Sequence, residues 1–315
     1  MLNALEALLN DATAGDPISG LKWTRKTLRN LTRHLRRQFT VGRTTVARLL
    51  RLHRYALRTN RKRLSRSQDP ERDRQLRYIV RVRRQFQRAG LPVISVDTKK
   101  KELVGVFKNA GRTWRHQALE VLTTDFLGDA VGTAIPYGIY DLSRNEGYVV
   151  VGTTHETAAF AIAAIRRWWL EVGRRVYPSA DALLIEADGG GANGNRGWLW
   201  KVGLQALADE FNLTITVTHY PTGASKWNPI EHRLFCWISA NWAGQPLLNY
   251  ETVLKFIRTT KTAGGLRCRA RLDPTGYETG GHITPKQRAQ LNFKRQRTRP
   301  HYNYTLCPRK NLRKK

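Results

Sequence analysis

Ala182-Leu-Leu-Ile-Glu-Ala-Asp-Gly-Gly-Gly-Ala-Asn-Gly194 opens as an apolar run and ends on an acid followed by three glycines. The run is short and almost continuously apolar, which predicts a strand buried on both faces. Asp188 closes it, and the glycines after it let a ligand or another backbone come close. Downstream, Gly197 to Phe211 reads as a helix, and Leu213-Thr-Ile-Thr-Val-Thr-His219 alternates as a strand. Upstream, Thr157 to about Arg174 is a long helix with Phe160, Ala164 and Trp168 on one face. Tyr137–Leu142 and Gly147–Gly152 flank Ser-Arg-Asn-Glu, the signature of a hairpin. Val93-Ile-Ser-Val-Asp97 is a second apolar run that ends on an acid, and Leu103–Phe107 is a short strand or extended arm. This order of elements predicts an α/β fold, a mixed sheet with helices on its faces.

The strand at 213–219 delivers the chain to Tyr220-Pro-Thr-Gly-Ala-Ser-Lys-Trp-Asn-Pro-Ile-Glu-His-Arg-Leu-Phe235. Here a loop becomes a helix, with Asn228 as expected N-cap and Pro229 at the first helical position. Glu231 then falls in the first turn, while Ile230, Leu234 and Ile238 face a core. Asp97 and Asp188 project from strand C-terminal ends, the edge where α/β sheets gather their sites. Glu231 returns to the same edge. Three clustered carboxylates repel one another unless a cation or protons neutralise them. Hard oxygen donors without ligand-spaced Cys or His point to Mg²⁺ or Mn²⁺. Two such ions about 4 Å apart suit cleavage of a phosphodiester. The bland alternative for each aspartate is a turn or helix cap, and for Glu231 a complement to the helix dipole. Asp125, Asp141 and Glu186 compete for the same role.

The 315 residues carry a formal net charge of +31, which calls for a polyanion, and nucleic acid is the default partner. Cys236, Cys268 and Cys307 are too dispersed for a zinc site or a disulfide framework, and reduced cytoplasmic thiols are expected. No apolar run approaches a membrane span. The glycines at 189–194 lack the Lys-Ser/Thr ending of a phosphate-binding loop. His155, His219 and His232 show no metal spacing and are expected to face solvent or to contact phosphate.

Residues 1–68 read as a helix-turn-helix-like region with a basic linker at 61–68. A short amphipathic helix is followed by a loop through Gly15-Asp-Pro17, and its isolation suggests a missing upstream segment. A helix at about 24–37 carries Leu28, Leu31 and Leu35. A turn at Thr40-Val-Gly42 and a helix at about 43–54 follow. Arg43, Thr44, Thr45 and Arg48 lie on the outer face of that last helix and suit a recognition helix in a major groove. Residues 69–90 are a connector helix, with Asp69 as N-cap, Pro70 at the first position and Gly90 as its end. Residues 91–245 read as the mixed α/β domain that carries the three acids. Residues 246–315 are a helical, then irregular and basic, extension ending in a disordered tail.

Ser95-Val-Asp97-Thr-Lys-Lys-Lys-Glu102, Ala187–Gly194 and Ser225–Phe235 resemble insertion-sequence transposases of the DDE class, the ISAzo-type family with a Rhodopirellula-type DDE domain. Thr44–Leu50, Trp198-Leu-Trp-Lys201, Asn241-Trp-Ala-Gly244 and Asn303-Tyr-Thr305 extend the resemblance over about 22 to 308. It departs at Thr222, where the family usually has a second proline, and before Asn303, where a usual tryptophan is absent. The resemblance implies an RNase H-like fold with Asp97, Asp188 and Glu231 as the metal triad. It implies hydrolysis at an element end, then attack by the freed 3′-hydroxyl on target DNA. Lys99, Lys100, Lys226, Trp227 and Arg233 are the expected DNA contacts beside the acids. The resemblance implies double-stranded DNA as the partner, and joining two ends implies a homodimer or larger assembly in a synaptic complex at the nucleoid. The alternatives are a silent DNA-binding repressor or transposase remnant, and an RNase H-like nuclease acting on RNA or hybrids.

Overall fold

The computed structural model describes residues 1–10, 13–15, 22–24, 27–53, 55, 69–224 and 227–309. The linker at 61–68, Lys226 and the tail from 310 lie outside these residues. The chain divides into two compact units, Met1–Leu64 and Ser65–Lys315.

In the first unit, helix α1 (Leu2–Asn10) is followed by strands β1 (Thr13–Gly15) and β2 (Lys22–Thr24), paired antiparallel. The loop expected through Gly15 is thus flanked by a short hairpin. Helix α2 (Leu28–Leu35) starts later than expected, because Thr27 accepts a hydrogen bond from the Asn30 amide at 3.2 Å and caps it. Helix α3 spans Arg43–Leu52. Leu5, Leu9, Leu31, Leu35, Val41, Val46 and Leu49 make one small core, so α1 is packed rather than isolated. Leu28, expected on the apolar face, is exposed.

The second unit begins with helix α4 (Arg72–Arg88). Asp69 does not cap it. Its Oδ1 accepts the Glu71 amide at 3.0 Å in a preceding turn, and its other oxygen pairs with Arg299. Gly90 ends the helix with φ of +68°, a conformation that favours glycine. Strands β3 (Val93–Thr98), β4 (Glu102–Val104), β5 (Gly132–Asp141) and β6 (Glu146–Gly152) come next. At the β5–β6 turn Asp141 Oδ1 accepts the amides of Ser143 and Arg144 at 3.0 and 3.1 Å. Helix α5 (Ala158–Trp168) runs through a π-helical turn into α6 (Arg174–Val176). Then come β7 (Ala182–Ala187), α7 (Trp198–Phe211) and β8 (Thr214–His219). After β8 the chain forms a π-helical turn (Glu231–Phe235) that continues into α8 (Cys236–Asn241), then α9 (Tyr250–Thr259) and β9 (Arg267–Asp273). The last elements are α10 (Pro285–Ala289), β10 (Phe293–Arg295) and β11 (Asn303–Leu306).

The sheet order is β10-β11-β8-β7-β3-β5-β6-β9, with β4 added to β5. β3, β5 and β6 are antiparallel in succession, whereas β7 and β8 run parallel to β3 and to each other. This is the RNase H-like arrangement of a mixed sheet. One face packs Val96, Tyr137, Phe160, Trp168, Trp200 and Leu204 into the main core under α5 and α7. The opposite face packs Tyr140, Val149, Val151, Ile230, Leu234, Phe235 and Ile257 under α8 and α9.

Residues beyond 261 were expected to be irregular. Instead they supply β9 on one side of the sheet, parallel to β6, and β10 and β11 on the other. Position 245 is therefore no break in the fold. In β9 the arginines at 267 and 269 point outward, while Cys268 and Ala270 are buried. A period of two at a sheet edge uses charge where a loop would also use it.

Candidate active site

β3 and β7 lie side by side and parallel, with Val96 opposite Ala187. Their C-terminal ends therefore share one edge. Asp97 is the next residue of β3, and Asp188 directly follows β7. Ile94 and Val96 enter the core under α5 and α7, so Asp97 points to the other face, with Ser95. That face receives the segment after β8.

Asn228 docks the segment. The side chain expected to cap a helix instead bridges two residues of β3. Its Oδ1 accepts from Ser95 Oγ at 2.6 Å, and its Nδ2 donates to Asp97 Oδ2 at 3.2 Å. Asn228 and Ser95 are both fully buried, so these bonds replace water that burial has removed. The expected core residues Ile230, Leu234 and Ile238 are buried without exception. Two glycines let them approach the sheet. A Cβ on Gly138, which lies opposite Asp97 in β5, would come within 2.5 Å of Phe235 and 2.9 Å of Ile230. A Cβ on Gly147 in β6 would collide with Leu234. The absence of these two β-carbons brings the Glu231 turn down onto the strand ends.

The carboxylates sense one another. Burial pushes Asp97 up to about 7, and the charges of Asp188, Glu231 and Glu156 push the same way against the Thr98 amide, which donates to Oδ1 at 2.8 Å. Burial also raises Glu231, which His232 and Lys99 pull down and Asp188 raises. Glu156, which follows β6, is a fourth acid at this edge and was missed from sequence. It stands near Lys101 at 3.5 Å, and a Cβ on Gly191 would meet its Oε1 at 2.9 Å. No strand-end signal marks it, because it lies in the connection to α5.

The donor chemistry fits a hard divalent cation. The acids at this edge offer carboxylate oxygens, and their mutual repulsion with burial raises the proton affinity of Asp97, the behaviour of a set that a cation would neutralise. Thr98 Oγ1, beside Asp97, is buried without a hydrogen-bond partner. Among the described residues no three acidic, His or Cys side chains gather around one point. The coupling is instead pairwise, and Asp97 is common to the pairs with Asp188 and with Glu231.

A sequence model of the family described as the Rhodopirellula transposase DDE domain matches residues 4–308. The chain belongs to this family of DDE transposases. No curated protein matches. Three solved structures are similar in fold at low identity. The "Mos1 transposase paired-end complex with left transposon end" is 14% identical, with a TM-score of 0.46, over 81% of this chain and 69% of that one. The "Mos1 Strand Transfer Complex" is 14% identical with a TM-score of 0.44, over 81% and 68%. The "Mos1 mariner paired end complex with Mn" is 16% identical with a TM-score of 0.42, over 80% and 68%.

The transposase places its expected nucleic-acid contacts unevenly. Arg43, Thr44 and Arg48 are exposed on α3, and Thr45 is half-buried. Lys100 is exposed just past the end of β3, Arg233 is exposed and acts on Tyr140, and Trp227 is half exposed. Lys99 corrects the expectation. It is buried, donates to Glu102 Oε1 at 2.7 Å and lies 4.4 Å from the Trp242 ring centre. Its charge is used inside the protein, where it steadies Glu231.

His219 is a second correction. It is fully buried, not surface-facing. The Asp188 carbonyl only accepts, so His219 Nδ1 donates to it at 3.0 Å, and Nε2 takes a hydrogen bond from Tyr304 at 3.0 Å. Trp200 donates to the same Tyr304 oxygen at 2.9 Å. Burial holds the His219 pKa down to about 4, so the ring stays neutral. Glu186, a rival candidate, is fully buried and paired with Arg83 at 2.6 Å, and also accepts from Tyr220 at 2.6 Å. Asp141 is bound to Tyr177 and to its own turn. Among the described residues, no helix is long and apolar enough to cross a membrane.

Proposed function

We propose that this transposase cuts DNA at the ends of its element and joins the freed 3′-hydroxyl to target DNA, with Asp97, Asp188 and Glu231 as its metal-binding carboxylates. The observation that carries the reading is Asp97. It lies one residue before the end of the central strand, burial and both other acids raise its proton affinity, and Asn228 fixes one of its oxygens. Mg²⁺ or Mn²⁺, when bound, would supply charge stabilisation for the attacking and leaving oxygens.

The chain's own residues hold the site in readiness. Asn228 fixes Asp97 Oδ2, and the Thr98 amide fixes Oδ1. Burial and the neighbouring acids raise the proton affinity of Asp97, so a bound cation would displace a proton there. His219 anchors the Asp188 backbone, and Lys99 favours ionised Glu231. Arg43, Thr44, Thr45 and Arg48 read the element end, with Lys100, Lys226, Trp227 and Arg233 on DNA beside the acids. Two copies bring two ends together.

The test is an end-containing duplex incubated with Mg²⁺ and an unrelated target. Asp97→Asn, Asp188→Asn and Glu231→Gln should each retain DNA binding and lose cleavage and joining. Cleavage by Asp188→Asn at the wild-type rate sinks the reading.

A further inference from the structure

Helix α4 carries more positive charge than its packing uses. Tyr78, Ile79 and Val82 are buried, and Gln75 donates to the His219 carbonyl at 2.9 Å. The opposite face carries Arg77, Arg81, Arg84 and Arg88, all exposed, at spacings of four, three and four residues. Other arginines of the helix are spent. Arg83 is bound to Glu186, and Arg74 pairs with Glu71 at 3.1 Å. No acidic side chain pairs with Arg77, Arg81, Arg84 or Arg88 among the described residues. Arg81 lies over the Tyr78 ring and Arg77 donates to the Asp73 carbonyl, but no carboxylate neutralises any of the four, and like charges on one face repel, so their row makes physical sense against an anion.

A groove of about 940 Å³ runs beside this row. Leu76, Ile79 and Val80 line it with apolar surface, the arginines with basic groups, and Tyr220 and Trp227 line it as well. Asp73 is the one acid that lines it. Its course is set by the packing of α4. The N-terminal half packs Leu76 and Ile79 against Tyr220 and Ala224, at the carboxylate edge. The C-terminal half packs Phe86 against Val93, at the opposite edge of the sheet. Arg77 is therefore nearer the acids and Arg88 farther away. Eleven residues of helix extend about 16 Å, the length of about five phosphates along one strand of a duplex.

We propose that this groove is a DNA-backbone track, in which Arg77, Arg81, Arg84 and Arg88 bind successive phosphates of duplex DNA leaving the carboxylate edge past Trp227. The arginine fork suits phosphate, and the apolar lining of Leu76, Ile79 and Val80 suits the sugars between. It rests on the reading of this chain as a DNA-acting transposase and adds a surface to it.

The test is equilibrium binding of the full chain to a duplex in EDTA, at several salt concentrations, so that no cleavage intervenes. The triple variant Arg77→Gln/Arg84→Gln/Arg88→Gln should reduce the slope of log affinity against log salt by about 2.7, or about 0.9 for each lost phosphate contact. The same positions changed to Lys should keep most of the slope. A control triple, Arg174→Gln/Arg267→Gln/Arg269→Gln, removes equal charge elsewhere and should leave the slope near wild type. Thermal melting of each variant checks the fold. An unchanged slope in the α4 triple overturns the track, as does an equal fall in the control triple. Wild-type protein that shows no salt-dependent binding overturns the DNA-acting reading instead.

Discussion

Asn228 donates its side-chain amide to Asp97 Oδ2 at 3.2 Å while its carbonyl oxygen receives Ser95 Oγ at 2.6 Å. One buried amide thus ties the segment that carries Glu231 to the strand that carries Asp97. Asn228→Ala should cut Mg²⁺-dependent cleavage by about 10- to 100-fold, the usual loss when a partner of a metal-binding carboxylate is removed. DNA affinity measured in EDTA should stay at the wild-type value. A variant that loses binding and cleavage equally would show that Asn228 serves only to fold the segment.

Gly138 should tolerate no side chain. Its Cβ would overlap Phe235 and Ile230, so Gly138→Ala must lift the Glu231 turn or bend β5. Overpacking of this kind costs about 1–3 kcal/mol. Cleavage should fall by more than the loss of folded protein explains, because Glu231 moves relative to Asp97. Chemical denaturation alongside single-turnover cleavage separates the two effects.

Arg83 and Glu186 form a buried pair whose members cannot be removed singly without penalty. Arg83→Met should destabilise the chain by about 3–5 kcal/mol, since it strands a carboxylate away from water. Combining it with Glu186→Gln should recover a large part of that loss. Urea denaturation of both variants decides the point, and equal stability of single and double variants would count against the pair.

The Asp97 pKa gives stability a definite pH dependence in chelator. Its folded value of about 7 lies above the ordinary 3.8, so the folded chain keeps a proton that the unfolded chain has released. The contribution is full below about 4 and is lost as pH rises to about 7. Asp97→Asn removes this loss and should be stabilised relative to wild type at pH 8 more than at pH 5. Denaturation midpoints at the two values in EDTA measure it; an identical difference at both would refute the raised value.

Much of this architecture was legible because charge and periodicity agreed. Val93–Asp97 and Ala182–Asp188 are apolar runs that stop on acids, in a chain with few acids to spare. The Ile230, Leu234 and Ile238 spacing placed the face that meets the sheet. What escaped notice had no local signal. Asn228 before Pro229 looks like a helix cap in any sequence, and its bond to Asp97 depends on residues 131 positions apart. His219 looks like a surface group until Tyr304 arrives from the far end of the chain. Lys99 reads as one of three basic residues, yet Trp242 and Glu102 turn it inward. The arginines of β9 resemble loop charge because an edge strand shows water every second residue.

β8, which leads into the Glu231 segment, is completed from outside by β11. Tyr304 of that strand also holds His219, and Asn303 exchanges hydrogen bonds with Gln75 of α4 at 2.7 and 2.8 Å. The ribosome must therefore release almost the entire described chain before the catalytic edge has its supports. A copy of the gene interrupted between codons 231 and 303 keeps the codons for Asp97, Asp188 and Glu231 and still encodes a sheet with an open flank. Such copies would lack the strand that pairs with β8 and the Tyr304 hydroxyl that holds His219.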